Sequence, residues 1–367
     1  MNEKIKFAII GYGGIGKIHA RAAYEADFLP ESKNLLSLAA IVTRKENQEL
    51  DFPAIEKSSS LHEVLGNSEI KFVSLCTPNE NHYEVGTQIL EAGKGLYCEK
   101  PIGKSYEETL ALTRLACELG LPHGVPLVFR YLPAVQEIKK LLSEKLIGDI
   151  IHFRTQLYHK SYLSEAKKGT WRTLENSGGG ALLDLGVHLA DLVHFIFGPV
   201  HSLQAQTGIF FKDRSFVDET ANVSLKQVNG ISGEIAVSRI YAESEDAMEL
   251  TVYGTKGHLK ISSSTPFLIT HYDLAENQTS VRKVVDQQDC LYYPKEKEAS
   301  SLILNGHRAA LCDFAAFVGG QKSWPLRPTF LDGLAAEKLI HIAYKSAAKN
   351  SEFTVNYDDL PVNPREK

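Results

Sequence analysis

Along its first 130 residues the chain alternates apolar runs of strand length with segments of helical spacing. The apolar runs are Lys4–Ile10, Leu36–Val42, Phe72–Thr77, Gly95–Cys98 and His123–Phe129. Residues 16–27, 80–92 and 105–119 between them mix apolar and polar positions as helices do. Strands alternating with helices predict parallel βαβ units and a sheet covered on both faces. After residue 130 the rhythm changes. Residues 132–146 read as one more helix, and Ile150–Tyr158 alternates like a strand with one wet face. The run Gly178-Gly179-Gly180 precedes an apolar helix expected over residues 181–197. Strand-like segments follow at 201–210, 216–227, 231–240, 247–254 and 257–262, and helices return at 299–318 and 331–349. Turn signals such as Asn229-Gly230 and Lys256-Gly257 predict hairpins, hence an antiparallel sheet. The boundary between the two patterns lies near residues 125–130.

Composition narrows the class. A length of 367 residues suits two domains, and 43% hydrophobic with 23% charged residues is ordinary for globular chains. The net charge is −5 and no block of Lys and Arg stands out, so no nucleic-acid partner is expected. No apolar run is long enough to span a membrane, and the N-terminus lacks a signal-peptide layout. Five cysteines, an odd number without a Cys-x-x-Cys pair, read as buried reduced thiols. Together these predict a soluble, cytoplasmic protein. The polar, proline-interrupted tail 361–367 is expected to be loose.

The first candidate chemistry is Gly11-Tyr12-Gly13-Gly14-Ile15-Gly16, which holds the pattern G-x-G-x-x-G directly after a strand and at a helix start. Gly11 permits the tight turn, Gly13 lets a pyrophosphate approach the backbone, and Gly16 lets the helix pack close to the strand. Free N–H groups at the helix start then face the phosphates. The bland alternative is a tight turn that binds nothing. At the end of the second strand, where an acid would hold the ribose hydroxyls of NAD, the chain has Thr43 and Arg44. A hydroxyl and a guanidinium attract a 2′-phosphate, so the expected cofactor is NADP or NAD, with a lean to NADP. Arg44 stacked on an adenine face would instead tolerate either.

The 181–197 helix carries a second candidate. Asp184, His188 and Asp191 sit at i, i+4 and i+7 and make one polar stripe on an otherwise apolar helix. Spacing alone leaves three readings open: a structural hydrogen-bond network, a proton-transfer pair, or a metal site. The metal reading is the weakest, because no further His or Cys ligand lies near in sequence, and no metal is expected. His194, on another side of the helix, reads as a core histidine.

The segments Cys76-Thr77-Pro78-Asn79-Glu80-Asn81-His82 and Glu99-Lys100-Pro101, taken with Arg130-Tyr131, Trp171-Arg172 and the block from Gly178 to Asp191, resemble the Gfo/Idh/MocA oxidoreductases over nearly the whole chain. The resemblance implies an α/β protein. Residues 1–127 would form a Rossmann domain with a doubly wound parallel sheet. Residues 128–360 would form a substrate-binding and oligomerisation domain with a large, mostly antiparallel sheet. It also implies that Lys100 reaches the reacting centre and that Asp184 and His188 are the proton-transfer pair. Thr77, Pro78, Asn79, His82, Glu99 and Lys100 would border the cofactor. Arg130, Tyr131, His159, Lys160, Trp171 and Arg172 would line the substrate cleft, with His307 and Arg308 as weaker candidates; each also has an ordinary surface or interface reading.

The chemistry suits these residue types. Oxidising a secondary alcohol sends a hydride to the cofactor, so the protein must take the proton. Histidine, with an ordinary pKa of about 6.5, can do that near neutral pH, and a lysine can stabilise charge on the substrate oxygen. The expected activity is hydride transfer between a nicotinamide cofactor and a hydroxyl of a sugar, polyol or inositol-like substrate. Two alternatives are a glycoside hydrolase that keeps NAD bound, and a dinucleotide sensor without catalysis; the presence of Lys100, Asp184 and His188 argues against the sensor. A homodimer or homotetramer is expected, formed through apolar strand residues on the open face of the second sheet.

Overall fold

The computed structural model describes residues 3–44, 49–52, 55–58, 60–164, 179–213, 215–284 and 292–361. The chain divides into two compact units. One comprises Met1–Val128, Gln288–Leu334 and Leu360–Lys367; the other comprises Phe129–Gln287 and Ala335–Asp359.

The first unit opens with β1 (Ile5–Ile10), α1 (Gly14–Ala26), β2 (Leu36–Val42), β3 (Glu56–Ser58), α2 (Leu61–Gly66), β4 (Phe72–Leu75), α3 (His82–Glu91), β5 (Gly95–Cys98), α4 (Tyr106–Glu118) and β6 (His123–Gly124). Its six strands pair in parallel in the order β3-β2-β1-β4-β5-β6. β4 and β5 are buried at every position, as strands with helices on both faces must be. Phe7 of β1 and Phe72 of β4 stack with ring centroids 5.0 Å apart. Strand order reverses direction between β1 and β4. Ligands gather at such a switch point, outside the carboxyl ends of the strands.

The second unit contains α5 (Pro133–Ser143), β7 (Ile150–Tyr158), α6 (Ala181–Asp184), α7 (Gly186–Phe197), β8 (Val200–Gly208), β9 (Thr220–Gln227), β10 (Ser232–Ser238), β11 (Met248–Gly254), β12 (Gly257–Ser262), β13 (Leu268–Asp273) and β14 (Gln278–Lys283). The chain ends with α8 (Leu302–Val318), α9 (Phe330–Lys349) and β15 (Phe353–Thr354). Nine strands form one sheet in the order β14-β13-β12-β11-β7-β10-β9-β8-β15. The β7–β10 pair is parallel, and the other pairs are antiparallel. Helices α5, α6 and α7 pack on this sheet, and Phe153 of β7 stacks on Phe197 of α7 at 4.1 Å.

Three expectations need correction. The strand positions that alternate away from the core are mixed, not uniformly apolar: Arg154, Asn222, Ser224, Lys226, Glu234 and Lys260 are polar, with Arg154 and Glu234 paired at 3.2 Å, while Tyr253 and Val281 are exposed. Second, the boundary near residue 127 does not hold for the rest of the chain, because α8 belongs to the first unit. Its small buried residues Ala309, Ala310 and Ala316 allow close packing with α1, itself lined by Ala20, Ala22 and Ala23. Phe314 meets Phe72 edge-on at 5.1 Å, and Gly124 leaves room for that ring. Third, the 181–197 helix is two helices separated at Leu185, before Gly186. Glycine is a poor helix former, and a Cβ here would lie 2.9 Å from Leu182.

No helix among the described residues is long and apolar enough to cross a membrane. Cys76, Cys98, Cys117 and Cys312 are buried and unbridged; Cys290 lies outside the described residues.

Candidate active site

The turn between β1 and α1 sits at the switch point. Gly11 has φ +94°, and a Cβ on it would lie 2.7 Å from the Cys76 backbone at the end of β4. Only glycine combines that conformation with so close an approach. A Cβ on Gly16 would overlap the Gly11 carbonyl, whereas Gly13 and Gly14 face open space. Gly13 caps α1, no side chain satisfies the helix's first N–H groups, and the first turn holds no acid. An uncapped, uncrowded helix start is a ready anion site, so this turn fits a pyrophosphate. Tyr12 contributes its backbone here, since its hydroxyl donates to Asp51 at 3.0 Å. Lys17 also pairs with Asp51, at 3.1 Å, and Ile15 is half-buried.

Neighbouring loops complete this surface. Thr43 is buried at the end of β2, and Arg44 is exposed with its guanidinium donating to Asn81 Oδ1 at 3.3 Å. After β4, Thr77 Oγ1 and Asn79 Nδ2 are buried without a hydrogen-bond partner among the described residues. Such groups cost stability unless a ligand or water meets them. Pro78 is exposed between them. His82, at the start of α3, places Nδ1 2.9 Å from the Pro101 carbonyl and Nε2 2.9 Å from the Thr77 carbonyl. It thereby ties the loop after β4 to the loop after β5. Burial holds its pKa below the ordinary value.

Lys100 is half-buried at the end of β5, before a cis peptide bond to Pro101. Glu99, expected beside the cofactor, instead turns its carboxylate inward. Oε2 accepts the Lys100 backbone N–H at 3.2 Å, and Oε1 lies 2.9 Å from Nε2 of the fully buried His19. His307 Nδ1 is 3.0 Å from the same nitrogen. His307, named above as a weak substrate candidate, is thus a buried member of this group. Arg308 is also buried, with its guanidinium on Glu25 at 3.3 Å and Asn305 at 3.2 Å.

In the second unit, Asp218 anchors the short helix α6. Its carboxylate accepts the Leu182 N–H at 2.7 Å and the Tyr344 hydroxyl at 2.7 Å, and its carbonyl accepts the Ala181 N–H at 2.8 Å. Burial pushes the Asp218 pKa up to about 6. Gly180, at φ +117°, leaves the space that Asp218 and Tyr344 occupy. The helix so placed presents Asp184, whose carboxylate is ion-paired with Arg239 just past β10. His188, in the first turn of α7, is half-buried with its ring 5.2 Å from that of Phe129.

The other candidates have partners of their own. Arg130 is buried and its Nε donates to Asp191 at 2.8 Å, with the guanidinium over the Phe195 ring at 4.9 Å. That pair joins the segment before α5 to α7 and explains the third member of the polar stripe. Tyr131 is buried. His159 pairs with Asp246 at 3.3 Å, and Lys160 donates to the Glu243 carbonyl at 3.1 Å, so both hold the loop after β10. His194 is half-buried, with Nε2 2.8 Å from the Tyr357 hydroxyl. Trp171 and Arg172 lie outside the described residues. Sequence reading missed His19, Asp218 and Arg239. His19 gave a usable signal, a histidine beside the alanine face of α1; Arg239 gave none.

Strand order, an uncapped glycine turn at the switch point and unsatisfied polar groups beside it define a dinucleotide-binding protein of the Rossmann class. Residues 5–125 match the oxidoreductase family with an NAD-binding Rossmann fold, and residues 135–260 match the GFO/IDH/MocA C-terminal domain. The chain belongs to the GFO/IDH/MocA family of oxidoreductases. It is 26% identical over 362 residues to glucose-6-phosphate 3-dehydrogenase of Bacillus subtilis, covering 96% of this chain and 99% of that one. It is 33% identical over 197 residues to the NADP(+) scyllo-inositol 2-dehydrogenase of the same organism, covering 53% of this chain and 52% of that one. Among solved structures, a levoglucosan dehydrogenase complexed with NADH superposes with a TM-score of 0.85 at 22% identity, covering 96% of this chain and 100% of that one.

Proposed function

We propose that this protein is an NAD(P)-dependent dehydrogenase that oxidises a secondary hydroxyl of a sugar, polyol or inositol-like substrate. The observation that carries the reading is the open, uncapped start of α1 beside the unsatisfied Thr77 hydroxyl and Asn79 amide. Relatives that are glucose-6-phosphate, scyllo-inositol and levoglucosan dehydrogenases support the substrate class.

A bound nicotinamide cofactor would supply the hydride acceptor. The α1 N–H groups would hold its pyrophosphate, and Thr77 and Asn79 would offer it further polar contacts. Lys100 donates to the substrate oxygen and stabilises the charge that grows there. His188 takes the hydroxyl proton, for which an imidazole is suited near neutral pH. Asp184, held by Arg239, supports that base through its position at the break before α7. Arg130 is assigned to the fold, because its guanidinium is occupied by Asp191.

Arg44, with no acid at the β2 tip, favours NADP. A screen of polyols, inositols and aldoses with NAD+ and with NADP+, followed at 340 nm, tests the activity. Net formation of reduced cofactor is expected; hydrolysis without it would instead support the NAD-retaining hydrolase. In the same assay Arg44→Ala should raise KM for NADP+ about 10-fold or more, as loss of a charged hydrogen bond does. KM for NAD+ should barely move. Equal effects on both would remove Arg44 from cofactor selection.

A further inference from the structure

Beneath the end of β5 lies a group of buried polar side chains that the cofactor turn leaves unused. His19 from α1, Glu99 after β5 and His307 from α8 bring one nitrogen, one oxygen and one nitrogen within 4.8 Å of one another. Ser74 Oγ is 2.7 Å from His19 Nδ1, and Cys76 Sγ is 3.4 Å from it. Tyr97 packs its ring 5.7 Å from that of His19. Lys100 is joined to Glu99 in sequence and through the 3.2 Å bond from its main-chain nitrogen.

Distances decide what this group is. Two donors bound to a zinc at about 2.0–2.1 Å would stand about 3.3 Å apart. His19 Nε2 stands 2.9 Å from Glu99 Oε1 and 3.0 Å from His307 Nδ1, which is hydrogen-bond spacing. A lone pair on that nitrogen would face a carboxylate oxygen, so Nε2 carries a proton and His307 Nδ1 accepts from it. His307 is therefore the neutral member. A buried carboxylate needs a counter-charge, and His19 is the nearer ring, with Nε2 2.9 Å from Glu99 Oε1 against 3.7 Å for His307 Nδ1.

Ionisation tendencies agree. Burial opposes charge on His19, but Cys76 and Glu99 beside it raise its pKa above the ordinary value. Burial likewise works against the Glu99 carboxylate, yet His19, His307 and Lys100 bring its pKa down. Burial keeps His307 low.

We propose that His19, Glu99 and His307 form a buried anchor for Lys100. Glu99 fixes the lysine's main chain, and His19 supplies the counter-charge that keeps this carboxylate from drawing the Lys100 ammonium onto itself. The proposal rests on reading Lys100 as the donor to the substrate oxygen. His19 and Glu99 are then positioning residues for that lysine. His19→Gln leaves the carboxylate to Lys100, whose ammonium becomes harder to deprotonate. Glu99→Gln removes the negative charge and makes it easier.

The test needs no turnover. Lys100 is labelled with trace acetic anhydride across pH 7–11, and its apparent pKa is read by mass spectrometry. The expected result is a rise of about one unit in His19→Gln and a fall of similar size in Glu99→Gln. With substrate, kcat should drop about 10-fold or more in both, while cofactor Kd changes by less than about twofold. The same Lys100 pKa in all three proteins would overturn the anchor. Opposite shifts in proteins that oxidise no polyol would uphold it and sink the dehydrogenase reading instead. Should the variants fail to fold, nitrogen-15 histidine NMR of the unaltered protein at pH 8 decides. One doubly protonated buried ring beside one neutral ring supports the anchor; two neutral rings refute it.

Discussion

Thr77 and Asn79 bury a hydroxyl and an amide nitrogen that the described residues leave unsatisfied. A group of that kind is a cost in the empty protein and a gain once a ligand meets it. Thr77→Val should therefore leave the melting temperature of the cofactor-free protein unchanged or slightly higher. It should weaken NADP+ binding about 10-fold, read by fluorescence titration. Lost stability with unaltered cofactor affinity would show the hydroxyl to be structural. Lys100→Ala should lower kcat by about 10²–10³ and His188→Ala by about 10²–10⁴, with cofactor affinity largely intact in both. Full turnover in either variant would remove that residue from the mechanism. The glycine turn was legible in sequence because a tight backbone turn writes a short motif, whereas Lys100 was singled out by the resemblance. The partners of Asp184 and Glu99 were not, because Arg239 and His19 reach them through the fold from distant positions.

Among the elements, α6 and α7 illustrate how far periodicity carries. The apolar stretch 181–197 announced a buried helix, and the stripe of Asp184, His188 and Asp191 announced polar partners. The break at Leu185 was hidden, since one glycine inside a helical pattern is often tolerated. Strand β14 was missed for a related reason: all six of its residues are exposed, so no apolar alternation marks it. The Arg130–Asp191 pair lets this region be tested. Arg130→Ala should destabilise the protein by about 3–5 kcal/mol by leaving a buried carboxylate unpaired. Arg130→Met combined with Asp191→Leu should recover most of that loss in urea melts. Unchanged substrate KM in the folded double variant is the further expectation. A large rise in KM would return Arg130 to the substrate site.

For the whole molecule, buried ionisable groups set how stability varies with pH. Glu99 has a lowered pKa in the folded chain, so its contribution is present above the ordinary glutamate value of about 4.3 and is lost as pH falls below it. His19 is raised, so its contribution is present below about 6.5 and is lost as pH climbs through the higher folded value. Asp218 is an acid with a raised value; it favours the fold below about 3.9. That advantage is lost as pH rises through about 6. The melting temperature should thus peak near pH 5 and decline toward alkaline pH. Asp218→Asn should flatten the decline between about pH 4 and 7, and His19→Gln the part above it. A profile unchanged in both variants would contradict these assignments.

At this scale the change from helix-separated strands to hairpins was plain in the sequence. The return of α8 to the first unit was not, because an alanine-rich apolar helix does not declare which sheet it will cover. The central claim is hydride transfer from a substrate carbon to a nicotinamide, and isotope labelling observes it directly. A polyol deuterated at the reacting carbon is turned over with NAD(P)+, and the reduced cofactor is weighed by mass spectrometry. The account predicts one deuterium in the reduced nicotinamide, with label transfer nearly absent in Lys100→Ala. Reduced cofactor without deuterium, or equal label transfer in Lys100→Ala, would contradict it.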